Sequence, residues 1–133
     1  MEYTKEQKRE YFAKLRASWK ANKDAAENDS DGRIKYEAIR KETPGFSISY
    51  YGFYWTLRQM IAQNLEGTPY IDAKTFNGWK SAGFRVKKGE NSKIEGVTWM
   101  AAKSKKEEED DDHTNLYPKK YALFHKSQVE AIN

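Results

Sequence analysis

Apolar residues along this chain keep helical spacing in the first half and strand alternation in the second. Tyr11, Leu15 and Trp19 recur at i, i+4 and i+8 with Phe12 beside them, which predicts a helix from Thr4 to about Lys23. Thr4, with Gln7 three residues on, forms a capping box at its start. Asn28-Asp29-Ser30-Asp31-Gly32 reads as a turn cluster. A short second helix follows from Arg33 to about Thr43, with Ile34 and Ala38 inward and Ile39 beside them, and Pro44-Gly45 breaks it. Ser47 or Ser49 caps a third helix, whose inward residues are Tyr50, Phe53, Tyr54, Leu57, Met60 and Ile61. Gly67-Thr68-Pro69 ends that region. Thr75 caps a fourth helix through Ala82, with Phe76 and Trp79 on one face and Gly83 as its C-cap.

Phe84-Arg85-Val86-Lys87 then alternates apolar and polar, the mark of a strand. Lys88-Gly89-Glu90-Asn91 is a turn, Ile94 to Met100 a second strand and Tyr121 to His125 a third. Ser127 to Ile132 reads as a terminal helical turn. Residues 103–118 carry a charge run and few apolar groups, so a long acidic, mobile hairpin loop is expected there. The predicted class is α+β: a helical N-terminal half, then a small antiparallel sheet, in one domain spanning residues 1–133.

Composition narrows the partners. Cysteine is absent, which excludes disulfides, thiolate metal sites and cysteine nucleophiles and fits a reducing, cytoplasmic setting. No apolar run approaches the roughly 20 residues that span a bilayer, and the charged stretch Met1 to Glu10 is unlike a signal peptide, so no membrane partner is expected. The net charge is +4, but Glu107, Glu108, Glu109, Asp110, Asp111 and Asp112 form one acidic run. Setting those six aside takes the formal charge of the rest from +4 to +10. A basic body of that kind suits a polyanion, because phosphate contacts release condensed counterions. The acidic run reads as a solvated insertion, as an imitation of nucleic acid, or as a segment that folds back on the basic face.

Catalytic and metal signatures are weak. Asp29-Ser30-Asp31-Gly32 resembles the centre of a calcium loop, but with Gly32 as sixth residue the closing position is Ala38, not a glutamate. The two histidines, His113 and His125, lack the further ligands of a zinc site. No hydrolase, metalloprotease or nucleotide-binding motif occurs, so neither a catalytic residue nor a cofactor is expected.

Basic residues do interleave with aromatics, in Phe76-Asn77-Gly78-Trp79-Lys80 and Phe84-Arg85-Val86-Lys87-Lys88-Gly89, and again in Tyr50, Tyr51, Tyr54, Trp55 and Arg58. Unpaired bases stack on aromatic rings while lysine and arginine track the backbone. On a strand, Arg85 and Lys87 point away from Phe84 and Val86, leaving one face for the core and one for phosphates. Trp79 has two readings, a stacking platform or a core residue spaced with Phe76.

The stretch from Phe76 to Glu90 resembles the signature of the N-terminal domain of ArdC-type antirestriction proteins, in which a Trp or Phe precedes a glycine and then Val-x-Lys-Gly-Glu. The leading helix, the Tyr-rich helix and the late Tyr121-Ala122-Leu123-Phe124-His125-Lys126-Ser127-Gln128 agree in order. The resemblance covers about fifteen residues closely. It implies binding of single-stranded DNA without strong sequence preference, in an antirestriction or DNA-transfer role on a plasmid, phage or conjugative element. Arg85, Lys87, Lys88 and Lys80 would then hold phosphates, Trp79, Tyr51 and Trp55 would stack bases, and Arg58 would sit beside them. The chain departs from the family pattern in lacking a fused protease motif and in its altered approach to the third helix, Pro44 to Gly52. The alternative is a protein-interaction module that inhibits a host nuclease through the same basic face or the acidic loop.

Overall fold

The structure, a computed structural model, describes residues 4–101 and 116–132. Helix α1 (Lys5–Glu27) starts at the Thr4–Gln7 capping box, with both reciprocal hydrogen bonds formed at 2.8 and 3.0 Å. It runs one turn beyond the predicted Lys23. Helix α2 (Ser30–Glu42) begins earlier than the turn cluster suggested. Asp29 is its N-cap, and its carboxylate accepts from the Gly32 N–H at 2.9 Å. Those contacts, with the Tyr54 hydroxyl at 2.8 Å, hold the Asp29 carboxyl below the usual carboxylate range. The acidic cluster is thus a helix cap.

The inward face of α2 differs from the prediction. Gly32 and Tyr36 are buried and Ile39 is half-buried, whereas Ile34 is 66 % exposed and Ala38 faces solvent. Gly32, Tyr36 and Ile39 follow the i, i+4, i+7 rule, so counting aliphatics alone chose the wrong stripe. Helix α3 (Tyr50–Ala62) is capped by Ser49, not Ser47. It buries Phe53, Tyr54, Leu57 and Met60 as expected, but Ile61 is 65 % exposed.

The helical core is aromatic: Tyr36, Tyr50, Phe53 and Tyr54 pack with Ala26 and Leu57. Each buried phenol finds a partner. Tyr36 donates to the Ile48 carbonyl and Tyr50 to the Ala26 carbonyl, both at 2.7 Å. Tyrosine is used here because the packed ring needs a polar tip where the helix ends meet.

Strand β1 (Ala73–Lys74) escaped sequence reading, being two residues long. Helix α4 (Phe76–Ser81) is capped by Thr75, and Gly83, at φ +92°, turns the chain after it. Phe76 and Trp79, expected on one face, part in the structure: Phe76 is 55 % exposed and Trp79 is buried. Strands β2 (Phe84–Val86), β3 (Ile94–Ala101), β4 (Leu116–His125) and β5 (Val129–Ala131) complete the chain. Two sheets form, in order β1-β4-β3 and β2-β5, all antiparallel. The α+β class therefore holds, with helices first and antiparallel sheet after. The predicted terminal helical turn is instead a short 3-10 turn (Lys126–Gln128) followed by β5, whose Val129 pairs with Val86 and buries against it. Leu116 to Pro118, expected in the acidic loop, belong to β4. The rest of that loop, including Glu107 to Asp112 and His113, lies outside the described residues.

Helix α3 is joined to the edge strand β3 by side-chain amides. Gln59 accepts from the Glu95 N–H at 2.9 Å and donates to the Glu95 carbonyl at 2.7 Å. Gln63 donates to the Lys93 carbonyl at 2.7 Å. Four residues of helix rise about 6 Å and two residues of strand about 6.6 Å, so Gln59 and Gln63 meet alternate strand residues in register. Behind this seam Met60, Ile94, Leu123 and Ala73 form a second core, flanked by Tyr70 and Tyr121. Gly96 is required there, since a Cβ would overlap the Tyr121 ring.

Gln59→Leu should destabilise the fold by about 1–3 kcal/mol, because it strands a donor and an acceptor at the sheet edge; urea unfolding measures this. Burial, and then the 2.6 Å hydrogen bond with Tyr70, push the Tyr121 phenol above the ordinary tyrosine value of 10.0. The unfolded chain therefore releases this proton first as pH rises. Stability contributed by Tyr121 is complete below pH 10 and fades above it. Tyr121→Phe should lessen the alkaline loss by about one proton per molecule, read as a shallower stability–pH slope above about pH 10.

Candidate nucleic-acid interface

The sequence-predicted residues divide between two regions. Arg85, Lys87, Lys88 and Lys80 belong to the unit of α4, β2 and β5. Tyr51, Trp55 and Arg58 lie on α3, which packs on α1 and β3 instead.

In the first region the alternation of β2 is as expected, with Arg85 and Lys87 outward and Phe84 and Val86 half-buried. Both cations are partly engaged. Arg85 pairs at 3.0 Å with Glu130, its register partner on β5, and Lys87 donates to the Ser127 carbonyl at 3.2 Å. Lys80 and Lys88 project into solvent. The turn between Lys87 and Glu90 closes on itself through the Glu90 N–H to the Lys87 carbonyl at 3.1 Å, which removes one amide from phosphate contact.

Trp79 is a core residue. It is 5 % exposed, packs edge-on against Phe84 with ring centroids 5.4 Å apart, and donates its indole N–H to the Phe124 carbonyl at 2.8 Å. It cannot serve as a stacking platform, so of its two readings the core one holds, although Phe76 beside it faces out. The late Tyr-x-x-Phe-x-x-x-Gln stretch is likewise scaffold. Gln128 is buried and joins the Asn91 carbonyl at 2.7 Å to the His125 N–H at 3.0 Å. His125, also buried, bonds the Glu66 carbonyl through Nε2 at 2.7 Å, which puts the ring proton there and leaves Nδ1 to accept from Ser127 N–H.

The second region is more open. Tyr51 is only partly available: its hydroxyl bonds the Glu27 carboxylate, which pushes the phenol up, and the Lys23 ammonium lies 5.3 Å over its ring. Trp55 is half-buried and packs on Trp19, which in turn meets Trp99. Three tryptophans thus join α1, α3 and β3. Beside Trp55 a cavity of about 500 Å³ opens between α1 and α3, lined by Ser18, Ala21, Asn22, Arg58, Ala62 and Glu95. Small residues at Ser18, Ala21 and Ala62 keep it open. A second cavity of about 440 Å³ adjoins it across Gln59 and Glu95 and brings in Lys93 and Lys120. Lys120 pairs with Glu95 at 3.4 Å. The two cavities adjoin at Gln59 and Glu95 to form a groove, with Arg58 lining the first and Lys93 and Lys120 the second.

Sequence reasoning found Trp55 and Arg58 in this groove and missed Asn22, Gln59, Lys93 and Lys120. One signal was available. Leu15, Trp19, Asn22 and Ala26 follow helical spacing, so Asn22 is a polar residue set inside the apolar stripe of α1. Among the described residues no cluster of three metal-ligating side chains occurs, and no helix is long and apolar enough to cross a membrane. No family model, curated protein or solved structure matches the chain.

Trp79→Phe should lower stability by about 1–3 kcal/mol through the unpaired Phe124 carbonyl while leaving ligand affinity unchanged. Thermal melting and a binding titration on the same protein check both halves.

Proposed function

We propose that this chain binds single-stranded DNA without strong sequence preference. The observation that carries the reading is the groove beside Trp55, where a half-buried indole and Arg58 line about 500 Å³ of open space and Lys93 and Lys120 line the adjoining cavity of about 440 Å³. Aromatic rings for bases and cations for phosphates are the two components of single-strand sites. The basic charge outside the acidic run favours the same partner. Lys80 and Lys88, exposed on the α4–β2 unit, add positive charge in a separate region. An antirestriction or DNA-transfer role on a mobile element follows as the setting in which such binding acts.

Fluorescence-polarisation titration of labelled oligo-dT against a duplex of equal length tests this. Preference for the single strand is expected, with affinity falling steeply as salt rises; equal or absent binding to both would sink the proposal. Arg58→Ala should weaken binding and lower the salt slope by about one counterion, as for a phosphate contact.

A further inference from the structure

Two polar atoms around the α1–α3 cavity have no hydrogen-bond partner. Asn22 is 2 % exposed; its Nδ2 donates to the Tyr51 carbonyl at 3.0 Å, but its Oδ1 accepts from no group. The Trp55 Nε1–H is also buried and donates to no group. Both residues line the same cavity. Each orphan weakens the folded state, since water satisfied it in the unfolded chain. A leucine at position 22 and a phenylalanine at position 55 would fill similar space without that penalty. The two groups are complementary in kind, one acceptor and one donor.

We infer that this cavity is a nucleobase site, an assignment that rests on the single-strand reading above. The Watson–Crick edge of every base carries an N–H beside a carbonyl or ring-nitrogen acceptor, and in single strands that edge is free. Asn22 Oδ1 accepts from the base N–H, the Trp55 indole donates to the neighbouring acceptor, and Arg58 meets the adjoining phosphate. All four bases offer such a pair, so the site takes a base without fixing its identity. A duplex uses the same edge for pairing and is excluded. Both protein atoms are covered in the free protein, so an entering base displaces the Trp55 indole from its packing on Trp19, whose ring lies 5.5 Å away. Indole fluorescence reports that movement.

The experiment titrates the full chain with labelled oligo-dT and with an oligonucleotide of equal length made of abasic sites. Trp55→Phe keeps an aromatic ring and removes the N–H; Asn22→Leu keeps the bulk and removes the acceptor. Each variant should lose about five- to tenfold in affinity for oligo-dT, the scale of one hydrogen bond, and keep wild-type affinity for the abasic strand. Wild-type fluorescence should change with oligo-dT and not with the abasic strand. Should Asn22→Leu fail to fold, Trp55→Phe and the fluorescence decide alone. Variants that melt differently yet bind oligo-dT like wild type would overturn the base site, leaving a cavity for structural water, while the single-strand reading stands. If wild-type protein binds no oligo-dT at all, the reading itself fails and this inference with it.

Discussion

The amide of Gln59 bonds both backbone groups of Glu95, and the placement of the helical half against the sheet depends on that contact. An edge strand carries a row of unpaired N–H and C=O groups, which invite pairing with another chain. Strand β3 is such an edge. Here a helix side chain takes the place of a neighbouring strand, and Gln63 repeats the contact one helical turn on, at Lys93. Because Gln59 points at the edge, its helical neighbours fall on either side of the sheet. Met60 goes to the buried face with Ile94 and Leu123, while Trp55, Arg58 and Ala62 border the open groove. Core and groove are two outcomes of one alignment.

Local signals along the chain were readable because they are local. Thr4, Ser49, Thr75 and Gly83 cap helices through contacts within a few residues, and each does in the structure what its type and position imply. The errors have a common origin in distance along the chain. Strand β5 exists because Val129 to Ala131 pair with Phe84 to Val86 more than forty residues earlier, and three residues hold no periodicity to detect. The face of α2 was misread because its centre is Tyr36, a residue whose hydroxyl suggests solvent until the Ile48 carbonyl is seen to accept from it. The Gln59 seam has no sequence mark, since a glutamine on a helix is ordinarily a solvated residue.

The same division governs the candidate site. Interleaved aromatic and basic residues pointed to Trp55 and Arg58, which border the groove, and also to Trp79, which is buried. Local pattern does not separate these two tryptophans. The difference is whether the indole N–H meets a backbone acceptor, as Trp79 meets Phe124, or meets none, as at Trp55. Lys93 and Lys120 escaped notice because the loop before β3 and the strand β4 that carry them are brought to α3 only by tertiary packing.

On the proposed reading, electrostatics and shape favour different strand states. Cations alone would attract duplex and single strand alike, since both present phosphates. Discrimination needs features that only an unpaired strand can use, namely free base faces and free base edges. The exposed lysines of the α4–β2 unit supply the first kind of contact without the second. On the proposed reading the groove supplies both, because an aromatic ring and a cation line it and two unpartnered hydrogen-bonding atoms are covered beside it. A duplex would find only the rim charges there. On the proposed reading, strand selectivity therefore arises at the seam between α1, α3 and β3, and the basic β2 turn contributes affinity that does not distinguish one strand from two.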